Sequence, residues 1–567
     1  MDNTRELNSS GTRRSTPSGS AELSTHHLGP HPLIQHFIQR MNLEAILRES
    51  LGGARDSVLD HAQTLCALIH NILVSPGPLY RIAIWAEPVE PHVLGLTSVQ
   101  KAALNDDRVA RALDALVSES ARGVWFRLAL RVIKQFKINT QQAHCDTTTV
   151  TFCGKYEASV SEPRITFGHN KDHRPDLKQL LFGLTVSRDG AVPIHHFVHN
   201  GNTSDNVVHQ ENLEDLRRIL GRDDFTYVAD SKLCTVENLR HLTGFGGNFV
   251  TVMPRTWKED KQFREILRDG KVRWKRILQI PNHRRESEEP DSFSSCDGLD
   301  KTDSGYRLVW IRSSQKQKDD RLFREAQLRR ADLELAELDL KLNRRQLRTE
   351  GSIRAAANGI LKRLKVENLL QVTLKQRTQL IPHHLKPGRP AADSTLQMEK
   401  QKSWSLHVRR NLAEITRQKR TDGVFPLITN LERLPKKEIL LMYKYQPHIE
   451  KRFASLKTDL EIAPVYLKKP GRVAGLIHAY FLALTVGSLM ERELRNAMVT
   501  EKVAALALLP ENRYTKTPTC PTIMDAFSRV TWQEFNRGAE RIVFPVELSS
   551  LQKKLLSMFK APLEIYR

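Results

Sequence analysis

The sequence predicts a mixed α/β protein: a mixed sheet flanked by helices, with an all-α N-terminal region and a large, mainly helical insertion. Three observations predict it. From Leu33 to about Phe136, apolar residues recur at three- and four-residue spacing, the period of a helix with one buried face. At Ala143 the pattern turns to β-branched runs that alternate with helical stretches, which indicates a sheet with helices packed on its faces. Beyond Pro254 that alternation is interrupted by a long segment dense in Arg, Lys, Glu, Asp and Leu, and strand-like sequence resumes at Gly423.

The elements follow in order. The first 27 residues are rich in Ser, Thr and Gly without an apolar run, so residues 1–30 read as a disordered tail and not as a secretory signal. LIQHFIQRMNLEAILRESL, LDHAQTLCALIHNILV and SARGVWFRLALRVIKQF are the helices of a domain over 31–138, punctuated by Pro76, Gly77, Pro78, Pro88 and Pro91. AHCDTTTVTF is a strand. Two more follow in QLLFGLTVSRDGAVPIHHFVHNG, turned at Asp189-Gly190. Val207 to Leu220 carries helical spacing, FTYVAD (225–230) is a short strand, VENLRHL a helix and NFVTVM (248–253) another strand. These make a first sheet segment over 139–254. An insertion over 255–420 holds two strand candidates, KVRWKRILQI and YRLVWIRSS, a long exposed helix within 315–348 and a linker, HHLKPGRPAADS. GVFPLITN opens a second sheet segment over 421–507 with long helices after residue 435, and 508–567 forms a C-terminal region. Ala474 to Met490 is apolar but short for a bilayer and contains His478, so a buried helix is expected and no membrane.

The net charge is +22, with Lys and Arg spread along most of the 567 residues. Charge of that size points to polyanionic partners, nucleic acid first. The six cysteines form no C-x-x-C pair and no zinc-finger spacing, which excludes a structural zinc site and fits a reducing cytosol.

Three acids carry chemistry. Asp146 sits inside a β-rich run, where Asp is disfavoured; an exposed edge position also explains it. Asp230 ends the strand FTYVAD, at the carboxyl end where α/β sheets gather ligands; a turn or helix cap also explains it. Glu450 lies in LLMYKYQPHIEKRFASLK, where in one continuous helix Tyr443, Glu450 and Lys457, seven apart, share nearly one face beside Ile449, Phe453 and Leu456; from spacing alone this is an ordinary solvated Glu/Lys face. Together the three acids suit metal-assisted phosphoryl transfer, which needs hard oxygen ligands around two cations. His195, His196 and His199 alternate faces of a strand and do not form a metal cluster. Lys171 and Arg174, in a polar loop with His169, Asp172 and His173, could meet phosphates; a solvent-exposed loop also explains them.

The sequence resembles the DDE transposases of bacterial insertion sequences, in the branch with a helical N-terminal domain and a long insertion before the catalytic Glu. HCDTTTV is similar to that branch's first-Asp motif. GHNKDHRPDLKQLLFGL (168–184) is similar to its signature Gly-His-Ser-Lys-Asp-x-Arg-Pro-Asp-Leu-x-Gln, with Asn170 in place of Ser. GNTSD (201–205), YVADSKLCTVENL (227–239) and DGVFPLITN, followed by Tyr443-x6-Glu450-x6-Lys457, resemble the remaining blocks, in the family's order, over about 143–490. The usual Arg between that Tyr and Glu is Gln446, and Pro447 stands where a new helix would start.

The resemblance implies an RNase H-like core whose metal ligands are Asp146, Asp230 and Glu450. It implies two Mg²⁺ (or Mn²⁺) ions, Tyr443 and Lys457 holding DNA at the element end, and a homodimer on double-stranded DNA that carries the terminal inverted repeats and the target. The helical N-terminal domain is the candidate for end binding, and the place of action is the bacterial cytosol and nucleoid. Two rivals share these features: a non-catalytic DNA-binding relic of a transposase, and a metal-dependent nuclease of the same fold.

Overall fold

The computed structural model describes residues 22–566 apart from 53–56, 155, 157–162, 172–173, 205–206, 271, 282–288, 345, 385–395, 463–466 and 538–539. The chain divides into two compact units, Met1–Asn248 with Lys444–Arg567, and Phe249–Tyr443. The strands that matter are, in chain order, β1 (Glu22–His27), β2 (Gln142–Phe152), β3 (Lys178–Ser187), β4 (Pro193–Asn200), β5 (Thr226–Val228), β6 (Asn248–Val252), β7 (Lys275–Ile280), β8 (Asp291–Ser295), β9 (Arg307–Ser313), β10 (Leu370–His384), β11 (Leu396–Arg410) and β12 (Val424–Thr429).

In the first unit the N-terminal helices His31–Arg40, Leu43–Leu51, His61–Val74, Asp106–Leu116 and Arg122–Phe136 form where the spacing predicts them. Asp60 and Gln63 close a capping box that starts the third, satisfying two backbone donors that a helix end leaves free. Their apolar faces do not close on themselves. Leu33, Phe37, Leu47 and Leu65 share one core with Leu482 and Leu489 of the helix Pro470–Thr500 and with Leu555 and Phe559 near the C-terminus. The apolar stretch Ala474–Met490 is thus a central buried helix: by composition it is long enough to cross a membrane, yet 94% of its apolar window is buried inside the protein.

Part of the expected tail is ordered. β1 pairs antiparallel with the strand Thr531–Arg537, from Glu22↔Asn536 to His27↔Thr531. Its partner lies some 500 residues on in sequence, so no local signal marks ELSTHH as a strand. Residues 1–21 lie outside the described part of the chain.

The sheet of this unit is mixed, as predicted. β2 pairs antiparallel with β3, β3 antiparallel with β4, and β2 parallel with β5. The turn between β3 and β4 holds Gly190 at φ +78°, the left-handed region that favours glycine, and a Cβ there would press within 2.8 Å of the Arg492 side chain.

β6 pairs with β12, β12 with β9, β9 with β8 and β8 with β7, all antiparallel. β6 and β12 pair with each other, and the units divide at 248/249 and 443/444. The long charged helix runs Ser314–Leu340 and packs on Glu350–Arg363 around Leu328, Leu335, Ile353 and Leu361. The insertion is less helical than the sequence suggests. The expected linker is flanked by β10 and β11, which pair antiparallel over fifteen residues each, from Leu370↔Arg410 to His384↔Leu396. Polar, alternating strands such as LKQRTQL and EKQKSWS carry too little apolar sequence to stand out as strands.

Candidate active site

Parallel pairing of β2 and β5 sets the first two acids side by side. The last paired residues are His144 and Val228. Asp146 and Asp230 each lie two residues further along strands that run the same way, so both carboxylates emerge at one sheet edge. Asp146 is partly buried, and its Oδ1 accepts the Thr147 backbone N–H (2.7 Å). Asp230 closes a turn: its Oδ1 accepts the Lys232 N–H (2.9 Å) and its carbonyl the Leu233 N–H (3.2 Å).

Glu450 comes from the helix Pro447–Ala454. Pro447, which has no N–H to lose, starts this helix, as its position suggests, so the helical stretch is broken between Tyr443 and Pro447. Ile449 and Phe453 are buried and fix one face. The start of the helix is tied to β2 by Gln446: its Oε1 accepts the His144 Nδ1–H (3.0 Å) and its Nε2 donates to the Cys145 carbonyl (3.3 Å). Gln446 precedes Glu450 by one turn, so this anchor sets the helix face carrying Glu450 next to Asp146. Arg452 pins the other side, donating to the carbonyls of Ala191 (2.9 Å) and Gly190 (2.8 Å) and to Glu491 Oε2 (2.7 Å).

The three acids feel one another. The Asp146 carboxyl is pushed up to about 6, first by burial and further by the negative charges of Asp230 and Glu450, against the opposing pull of Lys171. Lys171 Nζ lies 3.8 Å from Asp146 Oδ1 and donates to the Thr147 carbonyl (2.6 Å) and hydroxyl (2.7 Å). Among the described residues no group of three His, Cys, Asp or Glu side chains is already closed in metal-ligating geometry, so the acids neighbour one another without sharing a common centre. Their chemistry fits a hard divalent cation: three carboxylates, with burial pushing the adjacent Cys145 thiol up to about 12 and so withholding a thiolate.

A family model described as "Transposase DDE domain" matches residues 145–486, more than half of the chain and all three acids. The chain belongs to the DDE transposase family. It is a DNA-cleaving, strand-transferring enzyme of a family that uses divalent metal ions. A second model, a domain of unknown function (DUF4277), matches residues 23–130, the N-terminal helices. Among solved structures, a cryo-EM structure of the piggyBac transposase synaptic complex with hairpin DNA aligns over 83% of this chain and 84% of that one, at 9% identity and a TM-score of 0.28. No curated protein matches.

The other predicted residues of the transposase fall as follows. Lys171 joins Asp146. Arg174 is exposed and grips Asp176 with two hydrogen bonds, at 2.9 and 2.7 Å. Lys457 is half-buried in a wide π-helical turn, Ser455–Asp459, which offsets it from the strict seven-residue face. Tyr443 is the last residue of the other unit, its ring 6.4 Å from Phe425. Asp172, His173 and Asp205 lie outside the described residues. His195 and His196 do face opposite ways, His195 to Asn212 on one helix (2.9 Å) and His196 to His478 on another (2.6 Å).

Sequence reasoning missed two supports of the site. Gln446 is one; its only signal was the departure from the usual Arg. The other is a buried polar network, in which Asn212 Nδ2 donates to the Tyr227 hydroxyl (2.8 Å), Thr185 Oγ1 (3.0 Å) and Cys145 Sγ (3.3 Å), joining β2, β3 and β5 to the helix Val208–Leu220. Such a network is visible only once four separate segments are brought together.

Proposed function

We propose that Asp146, Asp230 and Glu450 are the catalytic carboxylates of this transposase and hold two divalent cations, Mg²⁺ or Mn²⁺. The observation that carries this is the parallel register that sets Asp146, inside β2, beside Asp230, just past β5, with Glu450 on a helix anchored to β2 by Gln446 and near enough to help raise the Asp146 carboxyl. Bound cations supply Lewis acidity, easing deprotonation of the attacking hydroxyl and neutralising charge on the leaving oxygen. The chain itself orients. The β2–β5 register and the Gln446 anchor hold the three acids at fixed spacing, and Lys171, beside Asp146, offers an ammonium to a phosphate oxygen. Arg174 exchanges Asp176 for a DNA phosphate, and Tyr443 and Lys457 hold the element end.

The substrate in this reading is double-stranded DNA bearing the terminal inverted repeats. Water forms a bond to phosphorus as the P–O3′ bond at the element end breaks, which frees a 3′-hydroxyl. That oxygen then attacks a phosphodiester of the target in line, so one P–O bond forms for each one broken and no energy source is required. We place the enzyme in the bacterial cytosol at the nucleoid, acting as a homodimer that pairs two ends; six free cysteines support a reducing compartment. The charge of +22 supports the DNA partner.

The test is a pair of assays on the full chain, with duplexes from the flanks of its gene. Cleavage of the end duplex in Mg²⁺, abolished by chelation, and joining of pre-cut ends to a target plasmid are expected. DNA binding without cleavage would mark a non-catalytic relic. Cleavage without joining would mark a nuclease.

A further inference from the structure

We propose that the β10–β11 ribbon is a DNA groove reader, with one face turned to base edges and the other to the phosphate backbone. This rests on the DNA partner proposed above and assigns a part of the chain to it. Near its base the ribbon is packed: Val372, Leu374, Trp404, Leu406 and Val408 cover the core of the helices Ser314–Leu340 and Glu350–Arg363. Further out it has no cover. From Lys375 to Ile381 and from Met398 to Lys402 every side chain is exposed. From Lys375 to Ile381 this exposed part extends roughly 20 Å at about 3.4 Å per residue.

The side chains sort by face. Successive residues point to opposite sides of a strand. Lys375, Arg377 and Gln379 share one face with their cross-strand partners Ser405, Ser403 and Gln401. Arg, Lys and Gln are the side chains that make paired hydrogen bonds to guanine and adenine edges. The opposite face carries Lys400 and Lys402 with Thr378 and Leu380. Among the described residues Lys375, Arg377, Lys400 and Lys402 make no ion pair, and the exposed part carries one acid, Glu399.

A partner of this chemistry also answers a physical difficulty. An isolated two-stranded ribbon is marginal in water, and its open edges invite aggregation. Here Leu380 and Met398 are more than half exposed as well. A duplex groove answers both, because the major groove, roughly 12 Å wide, admits a two-stranded ribbon. The competing reading makes the lysines mere guards against edge-to-edge pairing, and it predicts no effect on DNA.

The experiment uses the full chain and a pool of random-sequence duplexes enriched by repeated binding, read by fluorescence anisotropy from ~50 to ~200 mM salt. Lys400→Gln with Lys402→Gln is expected to lower the log–log salt slope by about 2, near 0.9 for each lost phosphate contact, and to weaken all sequences alike. Arg377→Ala with Gln379→Ala is expected to flatten sequence preference at the positions it reads. The altered side chains touch solvent, so melting curves should match wild type, and Lys400→Glu with Lys402→Glu gives a second, larger slope change. Unchanged slope and unchanged preference, with wild type binding steeply, overturn the assignment while leaving the transposase site standing. Loss of dimer in sedimentation with the slope unchanged overturns it too, and makes the ribbon a subunit contact. Failure of wild type to bind any duplex removes the DNA reading itself.

Discussion

Glu450→Gln exchanges one carboxylate oxygen for an amide at nearly constant volume, so it separates a ligand from a packing residue. Ile449 and Phe453, not Glu450, bury the helix, so the fold is expected to survive. Cleavage of end DNA in Mg²⁺ is expected to fall by several orders of magnitude while binding persists. Glu438→Gln is expected to stay within a few-fold of wild type. Glu432 is already committed to Lys301 (3.0 Å) within the other unit. Wild-type cleavage by Glu450→Gln would move the third acid elsewhere. Gln446→Leu is the companion test of a positioning residue. It strips partners from the His144 ring and the Cys145 carbonyl, both buried, at a cost of about 1–3 kcal/mol for groups left unpaired. A lower urea midpoint and slower cleavage with metal affinity little changed are expected; unaltered cleavage would deny Gln446 its role. Asp146 and Asp230 stand out in the sequence because each breaks a local rule, an Asp in a strand and an Asp at a strand end; Glu450, on an ordinary Glu/Lys face by spacing alone, stands out only through the family resemblance. Gln446 breaks none, and its value depends on a strand 300 residues away.

At the scale of elements, the helix Pro470–Thr500 was legible from composition alone, but its neighbours were not. At Gly475 an added Cβ would stand 2.4 Å from the Leu113 carbonyl of Asp106–Leu116, so the two helices approach closely there. Gly475→Ala is expected to destabilise by about 1–3 kcal/mol through that clash, read as a fall in Tm. The same helix carries a pH dependence. His478 lies beside His196, which stacks on Phe481 with ring centroids 3.7 Å apart and meets the edge of Trp125. Burial drives His478 down to about 4 and holds His196 well below its usual value, each also facing the other imidazole. Unfolded, both bind a proton near 6.5. The unfolded chain therefore takes up more protons between about 6.5 and 4, and stability present above 6.5 is lost as pH falls through that window. For His478 the loss is about 3 kcal/mol across the window, at 1.36 kcal/mol per pH unit. His478→Gln is expected to flatten the slope of urea midpoint against pH; an unchanged slope would show that other groups set the acid lability.

At the scale of the molecule, the mixed α/β class and the presence of an insertion were legible, because they rest on period changes along the chain. The closing of the first unit was not. Its core is assembled from residues up to 248 and from 444 onward, and nothing in the periodicity of the N-terminal helices says that they lack a core of their own. Val473, Leu482, Leu489 and Leu494 of the late helix are fully buried in that core, and Tyr566 donates its hydroxyl to the Gly29 carbonyl (3.1 Å). A fragment of residues 22–248 alone would expose the apolar faces that these residues cover, at roughly 25 cal/mol per Å² of apolar surface left in water. It is expected to aggregate or to melt without cooperativity. Phe249–Tyr443 is continuous in sequence and holds its own buried centres, including Phe263 stacked on Trp310 with centroids 3.8 Å apart. A fragment of 249–443 is expected to stay soluble and to melt in one cooperative step. Co-expression of 22–248 with 444–566 should restore a soluble complex, since the contacts that build the first unit do not require a covalent path through the second. Cooperative folding of 22–248 by itself would show that the N-terminal helices are a separate domain after all, and that the shared core is an interface between folded parts.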